Sequence, residues 1–220
     1  MAIGMVGAGV LVLLAAIVLL RANGLGPWAP SLSGAIIDPP MPAADFTLHD
    51  QSDQPVRLSS FRGKVVVLTF LYTHCPDACP LITEKLHQAY GQLGPDVSRM
   101  AILAVTVDPE RDTVPQVRAY SAQKDMLDKW HFLVGPARDV QPIWGAYGVV
   151  AAQPDQASGQ GSTVVPAASP ATTPATGGNS LVDHSAPIFL IDRSGQARVI
   201  LDINFEPAEL VQDVRVLLRE

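Results

Sequence analysis

The sequence predicts an α/β domain built on a mixed central sheet, and three observations carry that reading. Two continuous apolar runs, KVVVLTFLY from Lys64 and RMAILAVTVD from Arg99, have the length and β-branched content of strands buried on both faces. Each is followed by a segment whose apolar positions recur at helical spacing. Near its end the chain carries two strand-like runs across a Ser194-Gly195 turn and then a last helix, which adds antiparallel pairing to an otherwise alternating pattern.

Met1 to Leu20 holds no charged residue, and Arg21 ends the run. Twenty apolar residues suffice to cross a hydrocarbon core about 30 Å thick, so residues 1–20 are read as an uncleaved transmembrane anchor. A cleaved signal peptide would carry a basic n-region and a shorter apolar stretch. The single Arg21 favours a cytoplasmic C-terminal side, but long domains translocate largely regardless of charge. Residues 21–44, rich in Pro, Gly, Ala and Ser without periodicity, are read as a flexible tether.

The domain is expected over 45–220. DFTLHD and QPVRLSS flank a polar turn and predict a hairpin. The first buried strand, KVVVLTFLY, leads into HCPDACP and a helix, LITEKLHQAYGQL, ended by Gly94-Pro95. RMAILAVTVD is the second buried strand, followed by a helix over Thr113–Leu127, a short strand HFLVG and a short helix over Arg138–Tyr147. IFLID and ARVILDI form the closing hairpin, and Pro207 to Leu218 the last helix. Residues 151–180, mostly Ala, Pro, Gly, Ser and Thr, cannot bury enough apolar surface to offset their ordering entropy and are read as a disordered insertion. About 150 residues remain, enough for one domain with its own core. A net charge of −6 with 16% charged residues offers no basic face for nucleic acid.

The chain has two cysteines, Cys75 and Cys79, set between a buried strand and a helix, where ligands gather in α/β sheets. In regular helix the i, i+4 spacing would put both sulfurs on one face, about 6 Å of rise apart, within reach of a disulfide or a shared metal. Pro80 disfavours helical geometry at Cys79, so Pro80 is read as the first helical residue and Cys75–Cys79 as a bent, exposed turn. A nearby helix N-terminus favours thiolate, Asp77 opposes it, and a cation would be welcome there. A purely structural disulfide closing so short a loop would stabilise little. Two thiolates leave a metal site incomplete. Of the five histidines, His49, His87 and His131 read as ordinary surface or core residues, and His74 should point to the face opposite Cys75. His184, in LVDHSAPIFLID, lies at the entrance to a core strand and taken alone is a loop histidine.

FLYTHCPDACP, AVTVDPERDT and VDHSAPIFLID, in that order, resemble the Sco/SenC family of copper-binding, thioredoxin-like proteins, and the likeness covers most of Asp45 to Glu220. The resemblance implies a thioredoxin-like domain, with a mixed central sheet flanked by helices, held outside the cytoplasm by the N-terminal helix. It implies a monomer on the periplasmic side that delivers copper to the binuclear site of cytochrome c oxidase, its partner being subunit II or a similar copper-site protein. The family's copper ligands fall on Cys75, Cys79 and His184. Asp77 and Asp108 match acidic motif positions and are not assigned as ligands. The insertion at 151–180 departs from the family pattern, where a shorter connection is expected. Soft thiolates with an imidazole suit Cu(I) and also hold Cu(II), whereas a structural zinc site would call for four protein ligands. The alternative is a thiol–disulfide oxidoreductase using Cys75 and Cys79 to reduce cysteines of the oxidase copper site or other extracytoplasmic proteins, although that class usually spaces its pair Cys-x-x-Cys. A peroxiredoxin-like peroxidase is disfavoured because Tyr72 stands where its motif resembles threonine.

Overall fold

A computed structural model describes residues 31–149 and 186–220. The predicted anchor at residues 1–20, the 151–180 insertion and His184 lie outside the described residues. Among the described residues no helix is long and apolar enough to cross a membrane.

The chain runs β1 (Ala35–Pro42), β2 (Thr47–His49), β3 (Pro55–Arg57), β4 (Val65–Leu71), α1 (Ala78–Leu93), β5 (Met100–Thr106), α2 (Val114–Gln123), β6 (His131–Leu133), α3 (Ala137–Ala146), β7 (Ile188–Ile191), β8 (Gln196–Leu201) and α4 (Pro207–Arg219). Six strands form one sheet in the order β1-β8-β7-β4-β5-β6, and β2 and β3 form the predicted hairpin beside it. The helical crossovers through α1 and α2 make β4, β5 and β6 parallel neighbours, while the tight turn at Gly195 makes β7 and β8 antiparallel. All seven residues of β4 are buried, because the strand has cover on both sides. Val65, Val67 and Leu71 face the layer formed by α1, α2 and α4. Val66, Leu68 and Phe70 face the hairpin and α3. This is the mixed α/β architecture that the alternation of apolar runs predicts.

One element was hidden in the expected tether. Residues 35–42 form β1, antiparallel to β8 and covering its outer edge. The pairing satisfies a row of backbone groups that β8 would otherwise expose. Pro39 and Pro40, which make the stretch read as tether, fall where the register shifts between Ile36 and Met41, and an edge strand tolerates proline at such an irregularity. Just upstream the chain passes so close to β8 that a Cβ on Gly34 would lie 2.5 Å from Val199 Cγ1. Fully buried Asp213 of α4 accepts the Ser33 and Gly34 N–H groups at 2.7 and 3.1 Å, and Gln212 Nε2 donates to the Ser31 carbonyl at 2.7 Å. The tether, as far as it is described, is therefore clamped to the domain from Ser31 onward.

Parallel register carries the fold to its site. Leu71 pairs with Thr106, and the Val107 N–H continues the ladder to the Leu71 carbonyl at 3.0 Å. The loops leaving β4 and β5 consequently emerge side by side, one bearing the cysteines and the other Asp108 to Thr113.

Candidate metal and thiol site

Tyr72 to Asp77 joins β4 to α1. Helix α1 begins at Ala78, two residues before the expected start, with Asp77 as its N-cap. Proline is accepted at the third helical position because the first four N–H groups of any helix lack an intrahelical partner, so Pro80 removes a donor that would have been orphaned. The buried residues of α1 are Cys79, Ile82, Thr83, Leu86, Ala89 and Leu93, a continuous stripe at helical spacing. Cys79 is the first member of that stripe and is 3% exposed, which corrects the expectation that both cysteines lie in an exposed turn. Cys75 remains half-buried, packed against the core rim.

The two sulfurs are unequal. The Asp77 side chain makes no capping hydrogen bond. The Cys75 sulfur takes that place, accepting the Cys79 N–H at 3.2 Å, while the Cys75 N–H donates to the Tyr72 carbonyl at 3.4 Å. Partial burial pushes the Cys75 thiol up, but hydrogen bonding from the Cys79 thiol, from the Cys79 and Asp77 N–H groups and from the Tyr72 hydroxyl outweighs it and holds Cys75 below the ordinary thiol range. A helix N-terminus acts in the same direction. For Cys79, burial and the negative sulfur it faces both favour the neutral thiol and push it well above that range; the charge of Asp112 adds to this. Tyr72, partly buried and donating toward Cys75, is pushed up to about 12 and so keeps its proton. The donors around Cys75 therefore favour its thiolate, while burial favours the neutral thiol of Cys79.

Asp112, which the sequence reading passed over, lies under this loop and is 2% exposed. Its Oδ1 accepts the Thr73 N–H at 3.1 Å and the Thr73 hydroxyl at 2.6 Å; its Oδ2 accepts the Thr106 hydroxyl at 2.6 Å. Thr106 in turn accepts the Asp108 N–H at 2.9 Å. Burial raises the Asp112 carboxyl above the ordinary range despite these donors. Asp108 is spent on Arg111, with which it is paired. On the α1 side, the Thr83 hydroxyl donates to the Cys79 carbonyl at 2.8 Å and meets the Tyr120 hydroxyl at 3.0 Å.

None of the described histidines completes the pair. His49, His87 and His131 bond Asp53, Asp125 and Asp50, and exposed His74 bonds the Thr73 hydroxyl at 3.0 Å through Nδ1. Among the described residues no group of three His, Cys, Asp or Glu side chains is placed to hold a metal ion. The structure thus brings Cys75 and Cys79 together, and His184 lies outside the described residues.

A sheet that carries a cysteine pair from the end of a central strand to the N-terminus of a helix, one sulfur accepting the helix's free N–H, defines a thiol site on a mixed α/β fold that matches thioredoxin-like structures. The chain belongs to the SCO1/SenC family, whose model matches residues 37–219. It is 32% identical over 153 residues to the mitochondrial SCO2 homologue of Bos taurus, an alignment covering 69% of this chain and 50% of that protein. The chain therefore spans about half the length of that relative. Among solved structures, apo Sco1 of Thermus thermophilus matches with a TM-score of 0.65 at 30% identity, over 88% of this chain and 100% of that one. Copper-bound ScoI of Bradyrhizobium japonicum matches with a TM-score of 0.61 at 27% identity, over 80% and 99%.

Proposed function

We propose that the chain is a membrane-anchored copper chaperone that holds copper through Cys75, Cys79 and His184 and delivers it to the binuclear copper site of cytochrome c oxidase, with subunit II or a similar copper-site protein as its client. The observation that carries the reading is the donor set at the head of α1: a half-buried Cys75 sulfur that accepts the Cys79 N–H, and a second thiol four residues on. Thiolates are soft ligands suited to Cu(I), and an added imidazole extends the set to Cu(II). The copper-bound Bradyrhizobium relative supports the choice of metal. Oxidase assembly is supported by membership of the Sco family, which is one of cytochrome c oxidase assembly proteins. Copper is cargo here, and three protein ligands at a loop edge leave a position open for a client ligand to enter. Loading must remove the Cys79 proton, because only thiolate binds. The anchor at residues 1–20 would hold the domain on the extracytoplasmic side; reporter fusions to Glu220 read that orientation.

Copper titration of the reduced domain, followed by visible absorption and EPR, tests the ligand set. One copper per chain is expected, and Cys75→Ser or Cys79→Ser should abolish tight binding. His184→Ala should weaken Cu(II) more than Cu(I), since two thiolates still suit the softer ion. Unchanged stoichiometry in both cysteine variants would sink the proposal.

The inequality of the sulfurs favours a second reading, thiol–disulfide exchange. Cys75 thiolate would attack one sulfur of a client disulfide, forming a mixed disulfide and releasing a client thiolate. Cys79, on losing its proton, would then attack the Cys75 sulfur; the Cys75–Cys79 disulfide forms, the second client sulfur leaves, and the client gains two electrons. Reduction of a client disulfide by the copper-free Cys75→Ser variant at the wild-type rate would exclude this route.

A further inference from the structure

The geometry points to Asp112 as the residue that positions Cys75. The loop bearing Cys75 is held at both ends. At its α1 end, Cys79 is buried and its carbonyl is tied to Thr83. At its β4 end the tie is Asp112, supplied by the turn that leads into α2 and almost wholly sequestered from solvent. A single oxygen of Asp112 takes both the backbone N–H and the hydroxyl of Thr73, at 3.1 and 2.6 Å, so that residue is fixed in main chain and side chain at once. The other oxygen takes the Thr106 hydroxyl at 2.6 Å, anchoring the carboxylate to the end of β5. Cys75 follows Thr73 by two residues, and its sulfur must meet the Cys79 N–H at 3.2 Å.

A buried carboxylate is costly unless its hydrogen bonds are made, and bonds to an ionised acceptor are the stronger kind. Both core strands end beside it, yet the bonds it accepts go to Thr73 of the cysteine loop and to the residue bracing it, Thr106. The effect is to hold the Cys75 sulfur over the α1 terminus while leaving the sulfur half-exposed. Without this tie the β4 end of the loop keeps the Cys75 N–H bond to the Tyr72 carbonyl but loses its hold on Thr73, and the Cys79 N–H to sulfur contact loosens. Asp112 touches neither sulfur by hydrogen bond and acts through Thr73. The inference deepens the copper reading and rests on it in its copper arm alone.

The test compares Asp112→Asn, Thr73→Val and Thr73→Ser with the wild-type domain, with Asp213→Asn as a buried-carboxyl control away from the loop. Two quantities are read: the rate at which iodoacetamide alkylates Cys75 in the reduced, metal-free domain, and Cu(I) affinity by competition with a chromophoric chelator. Asp112→Asn and Thr73→Val should slow alkylation by about threefold or more, because a sulfur no longer held half-exposed over the α1 terminus is presented less often to the reagent. Both should weaken Cu(I) by about tenfold, as loss of outer hydrogen-bond partners does at metal sites. Thr73→Ser, which keeps both donors, should restore wild-type values, and Asp213→Asn should match wild type in both readouts. If Asp112→Asn fails to fold, Thr73→Val carries the test. Wild-type alkylation and affinity in both Asp112→Asn and Thr73→Val would overturn the inference, whatever their melting temperatures. Equal slowing in Asp213→Asn would overturn it too, since general softening would then explain the effect. A wild-type domain that binds no copper would refute the copper reading, while the alkylation arm would still decide the role of Asp112.

Discussion

The inequality of the two cysteines can be forced into a measurable ratio. The perturbation is limited iodoacetamide treatment of the reduced, copper-free domain, using Cys75→Ser and Cys79→Ser so that each sulfur is read alone. Cys75 is half-exposed and reacts from the native state. Cys79 is 3% exposed, so reagent reaches it only after the first turn of α1 opens. Opening breaks the Thr83–Cys79 hydrogen bond, worth about 1 kcal/mol net, and exposes the cysteine's apolar surface, worth about 1 kcal/mol more. A cost of about 2 kcal/mol corresponds to a factor of about 30 in accessible population, since 1.4 kcal/mol is tenfold. The thiolate populations act in the same direction, because burial holds Cys79 neutral while the donors around Cys75 favour its charge. Cys75 should therefore alkylate at least about 30 times faster than Cys79, as followed by peptide mass spectrometry over time. Rates within a factor of about three of each other, or a faster Cys79, would refute the buried first turn and the role of Cys75 as capping acceptor.

Further outcomes concern the β1 clamp and the carboxylates elsewhere in the domain. Asp213→Ala should lower the melting temperature by about 4–8 °C, from two lost backbone hydrogen bonds worth about 2 kcal/mol together. Removal of residues 1–44 should in addition promote association through the uncovered β8 edge; an unchanged melting temperature and a monomer would contradict the clamp. In acid, burial opposes the charges of Asp50 and Asp192, but hydrogen bonds from His131, Gln54 and Ser52 to the first, and from Gln196, Ser194 and Arg198 to the second, outweigh it and hold both below the ordinary aspartate range. Their stabilisation is present above the unfolded value and is lost as pH falls through the folded one, so denaturant melts should weaken below about pH 4. Asp112 and Asp213, raised by burial, have the opposite sign: their contribution is full at low pH and is lost as pH rises through their folded values. Asp50→Asn should flatten the acid loss, and a pH profile parallel to wild type would contradict this assignment.

Much of the fold was legible because its signals are local. β4 and β5 are continuous apolar runs, the β2–β3 hairpin announces itself by its polar turn, and α4 starts at Pro207 with Glu206 and Glu209 completing a capping box. The burial of Cys79 was missed, although a local sign of it was present. Its spacing to Ile82, Thr83 and Leu86 continues the apolar stripe, but the prolines at 76 and 80 drew the helix boundary two residues late. β1 was not legible, because its two prolines speak against a strand and its reason for being one is the edge of β8, more than 150 residues downstream. Asp112 gave no local sign either; within AVTVDPERDT it is one acidic residue among several.

The sequence by itself determined the alternation that builds the sheet and the pair of cysteines at a strand-to-helix junction, since apolar period and residue spacing are properties of neighbours along the chain. Only the tertiary structure decided which sulfur is buried, which accepts the helix N–H, and which carboxylate holds the loop. Thr73, Thr106 and Asp112 meet because β4 and β5 are parallel and in register, so their C-terminal ends emerge at one level. Sequestered from water, those polar groups must find partners in one another, and no count of residues along the chain says which ones will be within reach.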